Sequence, residues 1–256
     1  MIADATIPRV DERDRAPDGV VRVRAPNPSP LTLDGTNSYV VRGWVVDPGP
    51  ALDEHLVALE RAAAPAGGIA GIVLTHGHPD HDEGAPALAE RAGGVAVVRP
   101  ADGEEVGPLR AIATPGHAPD HVCLLWGRVL FSGDTVLGEG SVFVGGSDGS
   151  MADYLDSLRR LSELELDAIC PGHGPFVWDP AARIQEHLSH RLDRERRVVA
   201  ALEGGARSLD EVLDEAWSDT DLGAHPMLRW AARLTLEAHL DKLRAEGRVP
   251  PGVGDS

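Results

Sequence analysis

Three histidines and one aspartate crowd into six residues of this chain, in the segment Thr75-His76-Gly77-His78-Pro79-Asp80-His81. Residues 71–74, directly before it, are apolar and typical of a buried strand that ends at the segment. Imidazole nitrogens and carboxylate oxygens suit Zn²⁺, Mn²⁺ or Fe²⁺. Neither helix capping nor the ordinary polarity of a surface loop accounts for this density of donors. The segment therefore predicts a metal site at the end of a strand.

Three further donors follow the same local pattern. His117, Asp134 and His173 each come just after a predicted strand and beside a glycine, which lets the backbone approach a site closely. A single histidine or aspartate in a turn is more often structural, so each of the three is weak evidence alone. Because loops at one edge of a sheet converge, the three are expected to meet the first cluster.

The pattern of apolar and polar residues changes near residue 180. Up to that point short apolar stretches alternate with Gly/Pro turns and helical patterns, which predicts one layered α/β domain over residues 1–179. Strands are expected over residues 38–41, 45–46, 69–74, 95–98, 111–113, 122–126 and 129–131, and a helix over 85–91. Residues 180–256 are predicted to form a small helical domain, with a charged helix over 181–202 and a capping box of Ser208 and Glu211.

The strongly negative net charge of the chain argues against polyanions as binding partners. The chain carries a formal charge of −17 and a single lysine, Lys242, so its surface repels polyanions at long range. This disfavours RNA and anionic membranes as partners, but not a short anionic substrate beside two divalent cations. No apolar run approaches the roughly 20 residues that span a bilayer, and the first residues resemble no secretory signal. The two cysteines, Cys123 and Cys170, form no disulfide framework, so a cytoplasmic protein is expected.

In this order and spacing the donors resemble those of the metallo-β-lactamase-fold hydrolases. The resemblance covers Thr32 to about Leu192 and five motifs: the Asp47 turn, His76-x-His78-x-Asp80-His81, His117, Asp134 and His173. The chain is similar, further, to the subgroup that contains β-lactamase-like protein 2, through Leu33-Asp34-Gly35-Thr36-Asn37, His190-Arg191 with Arg194-Glu195, and His239-Leu240-x-Lys242-Leu243. The resemblance implies an αββα sandwich with metals at its rim and a winged-helix-like C-terminal domain over the cleft.

The resemblance also implies two divalent metal ions, expected to be zinc, with manganese or iron as alternatives. One ion would take His76, His78 and His117. The other would take Asp80, His81 and His173, and Asp134 would bridge the two. Water between the ions would lose its proton near neutrality and act as the nucleophile.

Two side chains are candidates for a direct part in catalysis. Asp80 would orient the attacking water and pass a proton to the leaving group while also binding metal. His121 could contact the substrate, support a ligand from outside, or act only as a hydrogen-bonded strand residue. Tyr154 shares an apolar stripe with Leu158 and Leu161, which favours a core position.

Three functions stay open. The first is hydrolysis of a small thioester or ester, of the hydroxyacylglutathione hydrolase or acyl thioesterase type, and the net charge favours it. The second is endoribonuclease or phosphodiesterase cleavage of single-stranded RNA. The third is a DNA-binding module with a vestigial metal site. It is the weakest, because residues 181–256 hold eleven basic and fourteen acidic side chains, whereas a reading helix needs a basic footprint. The oligomeric state has no signature in the sequence.

Overall fold

Two five-stranded mixed sheets form the centre of the molecule, which the computed structural model describes over residues 14–223 and 226–253. The first sheet has the order β1 (Val20–Arg24), β2 (Asn37–Val41), β3 (Trp44–Val46), β4 (Gly71–Val73), β5 (Val97–Val98). The second has the order β10 (Ala168–Pro171), β9 (Val129–Gly133), β8 (Val122–Trp126), β7 (Leu109–Ala113), β6 (Glu105–Val106). The pairs β3–β4, β4–β5 and β9–β10 are parallel, and the others are antiparallel.

The apolar side chains divide into three layers around these sheets. Tyr39 of the first sheet and Phe131 of the second belong to the layer between them, with ring centroids 5.2 Å apart. Helices α1 (Asp53–Ala63) and α3 (Ala85–Arg91) cover the outer face of the first sheet. Helix α4 (Met151–Ser162) and the start of α5 (Pro180–Gly204) cover the outer face of the second. The αββα sandwich expected from the sequence is confirmed.

Consecutive residues in the central strands point to opposite layers. Ile72 packs under the outer helices, whereas Val73 packs between the sheets. Leu130 and Phe131 divide in the same way. Because both faces of these strands are buried, the strands appear in the sequence as unbroken apolar runs. Burial of each such side chain contributes about 1.5–3 kcal/mol before entropic costs.

The observed strands start and end within two residues of the expected ones. Strand β8 occupies residues 122–126 as predicted, and the turn at Gly127-Arg128 joins it to antiparallel β9. Helix α3 also has its predicted limits. Strands β1 and β6, helix α1 and a one-turn helix over residues 79–82 are additions to the expected elements. The residue before helix α1 is Leu52, which has no side-chain oxygen to cap the helix, so the usual sequence signal of a helix start is missing.

Beyond β10 the elements of the described chain are helices. The end of α5, α6 (Leu209–Ala216) and α7 (Pro226–Ala245) enclose a further apolar cluster that includes Leu213 and Leu236. Helix α6 begins with the predicted capping box of Ser208 and Glu211. No strand occurs among the described residues after β10, so the winged-helix-like character and the division after residue 179 stay predictions. None of the helices in the described part of the chain is long and apolar enough to cross a membrane.

A buried polar cluster joins α5 to α7. Glu195 Oε2 lies 2.8 Å from Lys242 Nζ, and Glu195 Oε1 lies 3.2 Å from an Arg248 nitrogen. The His239 ring, which is fully buried, lies 3.9 Å from Glu195. The two C-terminal stretches that resemble the β-lactamase-like protein 2 subgroup therefore meet in space. Ala238 of α7 also packs beneath the second sheet, which attaches the C-terminal helices to the sandwich.

Candidate metal centre

The donor residues follow strands whose ends lie at one edge of the sandwich. His76 and His78 lie in the loop after β4, and His117 follows β7. Asp134 comes directly after β9, and His173 lies two residues beyond β10. Asp80 and His81 are in α2 (Pro79–Asp82), a one-turn helix that begins after His78, rather than in an open loop. A proline at the first helical position suits a helix start, because it needs no backbone N–H there.

Three histidines form the first group of facing ring nitrogens. His78 Nδ1 lies 3.0 Å from His76 Nε2 and 2.9 Å from His117 Nε2. These atoms fall within 4.8 Å of one another, which is the spacing of ligands around a single ion. The group contains the same three residues that the family resemblance implies for one metal.

Asp80, His81 and His173 form a second group of the same size. His173 Nε2 lies 3.3 Å from Asp80 Oδ2 and 3.4 Å from His81 Nε2. His81 Nε2 lies 3.5 Å from Asp80 Oδ2. Two imidazoles and a carboxylate that converge in this way offer the nitrogen and oxygen donors typical of catalytic zinc.

Asp134 lies between the two groups. Its Oδ2 is 3.5 Å from His117 Nε2 in the first group and 3.4 Å from His173 Nε2 in the second. Its Oδ1 is 3.4 Å from His81 Nε2, yet this buried oxygen has no hydrogen-bond partner. A buried carboxylate oxygen without a donor is costly in free energy. Divalent cations shared between the groups would satisfy it, so the residues present fit a two-metal site.

Hydrogen bonds from outside leave the converging ring nitrogens free to bind metal. His117 Nδ1 donates to the Phe143 carbonyl oxygen at 2.7 Å. His76 Nδ1 donates to Thr75 Oγ1 at 3.0 Å, because the Thr75 hydroxyl gives its own proton to a carboxylate. In both rings the proton is therefore on Nδ1, and Nε2 presents a lone pair to its group. Such outer partners fix the tautomer and the ring orientation of metal-binding histidines.

Asp47 anchors the centre from behind. Its Oδ2 accepts the Thr75 hydroxyl proton at 2.7 Å and the His81 Nδ1 proton at 2.9 Å, and its Oδ1 accepts the Thr75 amide at 2.7 Å. Asp47 adopts a left-handed backbone conformation, with φ of 49°, that non-glycine residues avoid. The sequence showed Asp47 only as part of a turn motif, and its contact with His81 depends on the fold.

His121 is almost fully buried and faces the backbone of a proposed ligand. The Asp134 amide donates to His121 Nε2 at 3.0 Å, so the ring proton must be on Nδ1. Nδ1 lies 3.0 Å from Thr114 Oγ1 and 3.2 Å from Thr135 Oγ1. Both ring nitrogens are thus engaged with protein atoms, and the His121 ring stacks on His76 with centroids 4.8 Å apart.

The carboxylates and histidines of the two groups shift one another's pKa values. Burial raises the pKa of Asp134, but the His173 and His81 rings outweigh it and hold that pKa well below its usual range. Burial lowers the pKa of His173, but the charge of Asp134 and hydrogen bonds with Asp134 and Asp80 raise it to about 9. Asp80 and Asp134 therefore stabilise positive charge within this cluster.

Glycines beside the donors allow this crowding. Gly133 has φ of 45°, and a Cβ on it would lie 2.6 Å from His121 Nε2 and 2.6 Å from Thr75 Oγ1. A Cβ on Gly172 would collide with Asp134 Oδ1 and His81. Larger residues at these two positions would push the donors apart, as expected for glycines that flank a site.

Tyr154 and the two cysteines lie in the apolar core. Tyr154 packs with Leu158 and Leu161 as predicted, and its hydroxyl donates to the Thr135 carbonyl at 2.9 Å. Cys123 lies beneath the second sheet and Cys170 between the sheets, and both are free thiols. Burial raises the pKa of the Cys123 thiol to about 11, so it stays protonated near neutrality.

We expect Cys170→Ala to keep full metal content and turnover. The thiol is enclosed by apolar side chains, so its loss removes packing but no donor. Metal analysis and turnover of the purified variant check this, with Cys123→Ala as the matched control. Loss of metal from the Cys170 variant alone would make Cys170 a ligand.

The family model described as the metallo-beta-lactamase superfamily matches residues 31–109 and 95–173. These ranges include the seven converging donors and Asp47. The Beta-lactamase-like protein 2 homolog of Caenorhabditis elegans is 32% identical over an alignment of 280 positions, gaps included. The alignment covers 95% of this chain and 90% of that protein. This similarity extends through the C-terminal helices.

Two further comparisons concern activity and fold. The atrochrysone carboxyl ACP thioesterase of Aspergillus fumigatus is 33% identical over 234 residues, which cover 82% of this chain and 73% of that protein. The crystal structure of a metallo-beta-lactamase family protein from Thermus thermophilus superposes with a TM-score of 0.67 and 25% identity, covering 90% of this chain and 94% of that one.

Proposed function

This chain belongs to the metallo-β-lactamase superfamily of hydrolases, and we propose that it is a binuclear metal-dependent thioesterase acting on a small acyl thioester or ester. The observation that carries the proposal is Asp134, which lies 3.4–3.5 Å from donors of both groups. One such carboxylate can hold two ions close together. The thioesterase relative from Aspergillus fumigatus supports the choice of a thioester.

The proposed ligands are the seven converging donors: His76, His78, Asp80, His81, His117, Asp134 and His173. Zinc is the proposed metal because five of the seven are imidazoles, which suit Zn²⁺ better than hard oxygen-seeking cations. Manganese and iron are alternatives that elemental analysis distinguishes. When bound, the two ions would supply an activated water and stabilise the charge that develops on the thioester oxygen.

Asp80 has the second part in the proposed mechanism. Its Oδ2 accepts a hydrogen bond from Thr36 Oγ1 at 3.3 Å, which orients the carboxylate. Its side chain is 29% exposed, so it can reach both the metal centre and a substrate. It would hold the proton that the leaving thiolate needs. His121 is a positioning residue in this proposal, because it holds the Asp134 amide and both of its nitrogens are engaged.

Residues 180–256 are proposed to form a domain that walls the substrate cleft rather than binding DNA. The basic side chains of α7 have acidic partners within the described structure: Arg229 contacts Asp214 and Asp210, Arg233 contacts Asp210 and Glu237, Lys242 contacts Glu195 and Glu246, and Arg244 contacts Asp241. A face whose cations are already paired is a poor match for phosphates.

The metal-loaded protein should be assayed on three substrates at equal concentration: an acyl thioester of N-acetylcysteamine, bis(p-nitrophenyl) phosphate and a short single-stranded RNA. We expect turnover of the thioester to exceed the other two. Elemental analysis of the same sample should give close to two transition-metal ions per chain. Preferential cleavage of RNA would favour the endoribonuclease alternative over the thioesterase proposal. Absence of bound metal would contradict both of these metal-dependent functions.

We expect Asp47→Asn to lower metal affinity about 10- to 100-fold, the range typical of residues that orient metal ligands. Both Asp47 oxygens accept hydrogen bonds, Oδ2 from His81 Nδ1 and the Thr75 hydroxyl and Oδ1 from the Thr75 amide, whereas the NH2 group of asparagine accepts none. Competition with a chelator measures the affinity. Asp53→Asn, at an exposed position in the first turn of α1, is the matched control and should have no effect. Equal affinity for both variants would contradict the anchoring role of Asp47.

A further inference from the structure

A small cleft lies beside Phe143, whose carbonyl oxygen supports His117 of the metal centre. It has a volume of about 260 Å³ and lies between two loops of the sandwich and the C-terminal helices. Its apolar lining includes Leu31, Phe143, Leu222 and Leu228. The side chains of Leu31 and Leu228 are about half exposed, so apolar surface is open to a ligand there.

Both loops that line the cleft also contact proposed metal ligands. The loop of Phe143 supplies the carbonyl oxygen that accepts the His117 proton at 2.7 Å. The loop of Leu31 leads into Thr36, which donates to Asp80. A molecule seated in the cleft therefore lies against Phe143, which supports His117, and against Leu31, five residues before Thr36. The cleft is in the right place for the acyl part of a substrate whose reacting carbon is at the metals.

Arg191 of α5 forms part of the cleft wall and is 3% exposed. One of its terminal nitrogens donates to the Val142 carbonyl oxygen, and its guanidinium lies 5.5 Å from the centre of the Tyr154 ring. Its Nε has no hydrogen-bond partner. Among the residues that the structure describes, no carboxylate lies within ion-pair distance of Arg191. Arg194, one turn further along α5, does have one, because Asp219 Oδ1 lies 2.9 Å from it.

A buried cation without a counter-ion is unfavourable, since burial removes water and nothing negative replaces it. A carbonyl oxygen and an aromatic ring compensate this only in part. An anion in the adjoining cleft would complete the compensation, and there the low local dielectric strengthens the attraction. Apart from Arg191, the lining combines apolar side chains, among them Leu31, Phe143 and Leu228, with the polar residues Ser141, His190, Arg194, Thr220 and Thr235. The apolar part suits a hydrocarbon or aromatic segment of the ligand.

We propose that Arg191 selects acyl thioesters whose apolar acyl group ends in a carboxylate, which would lie in this cleft. The inference rests on the thioesterase function proposed above and adds the substrate class. It predicts a preference between two acyl chains of equal length, one ending in a carboxylate and one in a methyl group.

The probes are the adipoyl and hexanoyl thioesters of N-acetylcysteamine. For the metal-loaded wild-type protein we expect kcat/KM to be at least about tenfold higher for adipoyl, the scale of a hydrogen bond to a charged group. Arg191→Met should abolish this preference by raising KM for the adipoyl thioester. It should leave kcat/KM for the hexanoyl thioester nearly unchanged. Arg191→Lys should retain part of it. Metal content and circular dichroism establish that each variant is folded.

A second variant avoids the buried position. Leu31→Asp places a negative charge at the exposed rim of the cleft. It should therefore lower kcat/KM for the adipoyl thioester more than for the hexanoyl thioester. Leu192→Asp, at an exposed position on α5 outside the cleft, is the matched control and should leave the ratio unchanged. Equal wild-type activity on the two thioesters, or an unchanged ratio in both Arg191→Met and Leu31→Asp, would overturn the role of Arg191 and leave the thioesterase proposal intact. Hydrolysis of neither thioester would refute the thioesterase proposal itself.

Discussion

Replacing Asp134 with alanine should lower kcat/KM by more than about 100-fold, beyond the 10- to 100-fold cost typical of residues that only orient ligands. The reason is geometric. Asp134 is the donor that contacts His117 in the first group and His81 and His173 in the second. Without it, the proposed ions lose their shared ligand and are no longer held at a fixed spacing. Steady-state kinetics on the thioester and metal analysis of the purified variant measure the effect.

The fold should survive this change, because Asp134 belongs to none of the apolar clusters of the sandwich. Circular dichroism checks that the Asp134→Ala variant is folded. Asp148→Ala, which removes a carboxylate from an exposed loop position, is the control and should keep wild-type turnover. A folded Asp134→Ala variant with near-wild-type turnover and two bound ions would refute the bridging role.

Removal of the metals should produce the second large effect, on stability as well as on activity. Metal that binds only the folded chain stabilises it by about 4 kcal/mol per site when free metal is 1,000-fold above Kd. For a chain of this size that corresponds to an increase in Tm of roughly 8–16 °C per site. Apo-protein prepared with a chelator should therefore lack turnover and melt far below the zinc-loaded protein in differential scanning calorimetry.

The same calorimetric comparison of apo- and zinc-loaded protein, made on Asp134→Ala, separates stabilisation by zinc at the proposed site from non-specific effects of zinc on stability. That variant should gain much less in Tm from zinc than the wild-type protein. Magnesium, which prefers an all-oxygen shell, should have little effect on either protein. If zinc failed to bind the wild-type apo-protein, or bound without changing Tm, the two-metal proposal would be wrong.

The seven donors were predictable because the chemistry of the site is concentrated in short segments. Three histidines and one aspartate in six residues are a denser set of donors than helix capping or surface polarity requires, and the remaining donors follow strands closely. The strands themselves were visible because both of their faces are buried, so they appear as unbroken apolar runs. The capping box of Ser208 and Glu211 is equally local, since its partners are three residues apart.

What holds those donors in place was not predictable. Asp47 reaches His81 across 34 positions, and the Phe143 carbonyl reaches His117 across 26. For His121 the sequence left three roles open, and only the hydrogen bond from the Asp134 amide favours one of them. These contacts depend on how two sheets pack and which rotamer each side chain takes, and no local pattern encodes either.

Arg191 shows the same division most clearly. The sequence presents it as one of several arginines in a charged helix, with acidic residues close by. Only the packing of α5 against α4 and α7 buries this guanidinium over Tyr154, away from every described carboxylate, while Arg194 meets Asp219. Residue types and their spacing determine which chemistry the chain can perform. The tertiary structure decides which charges are compensated, because burial and counter-ions arise from contacts between distant segments.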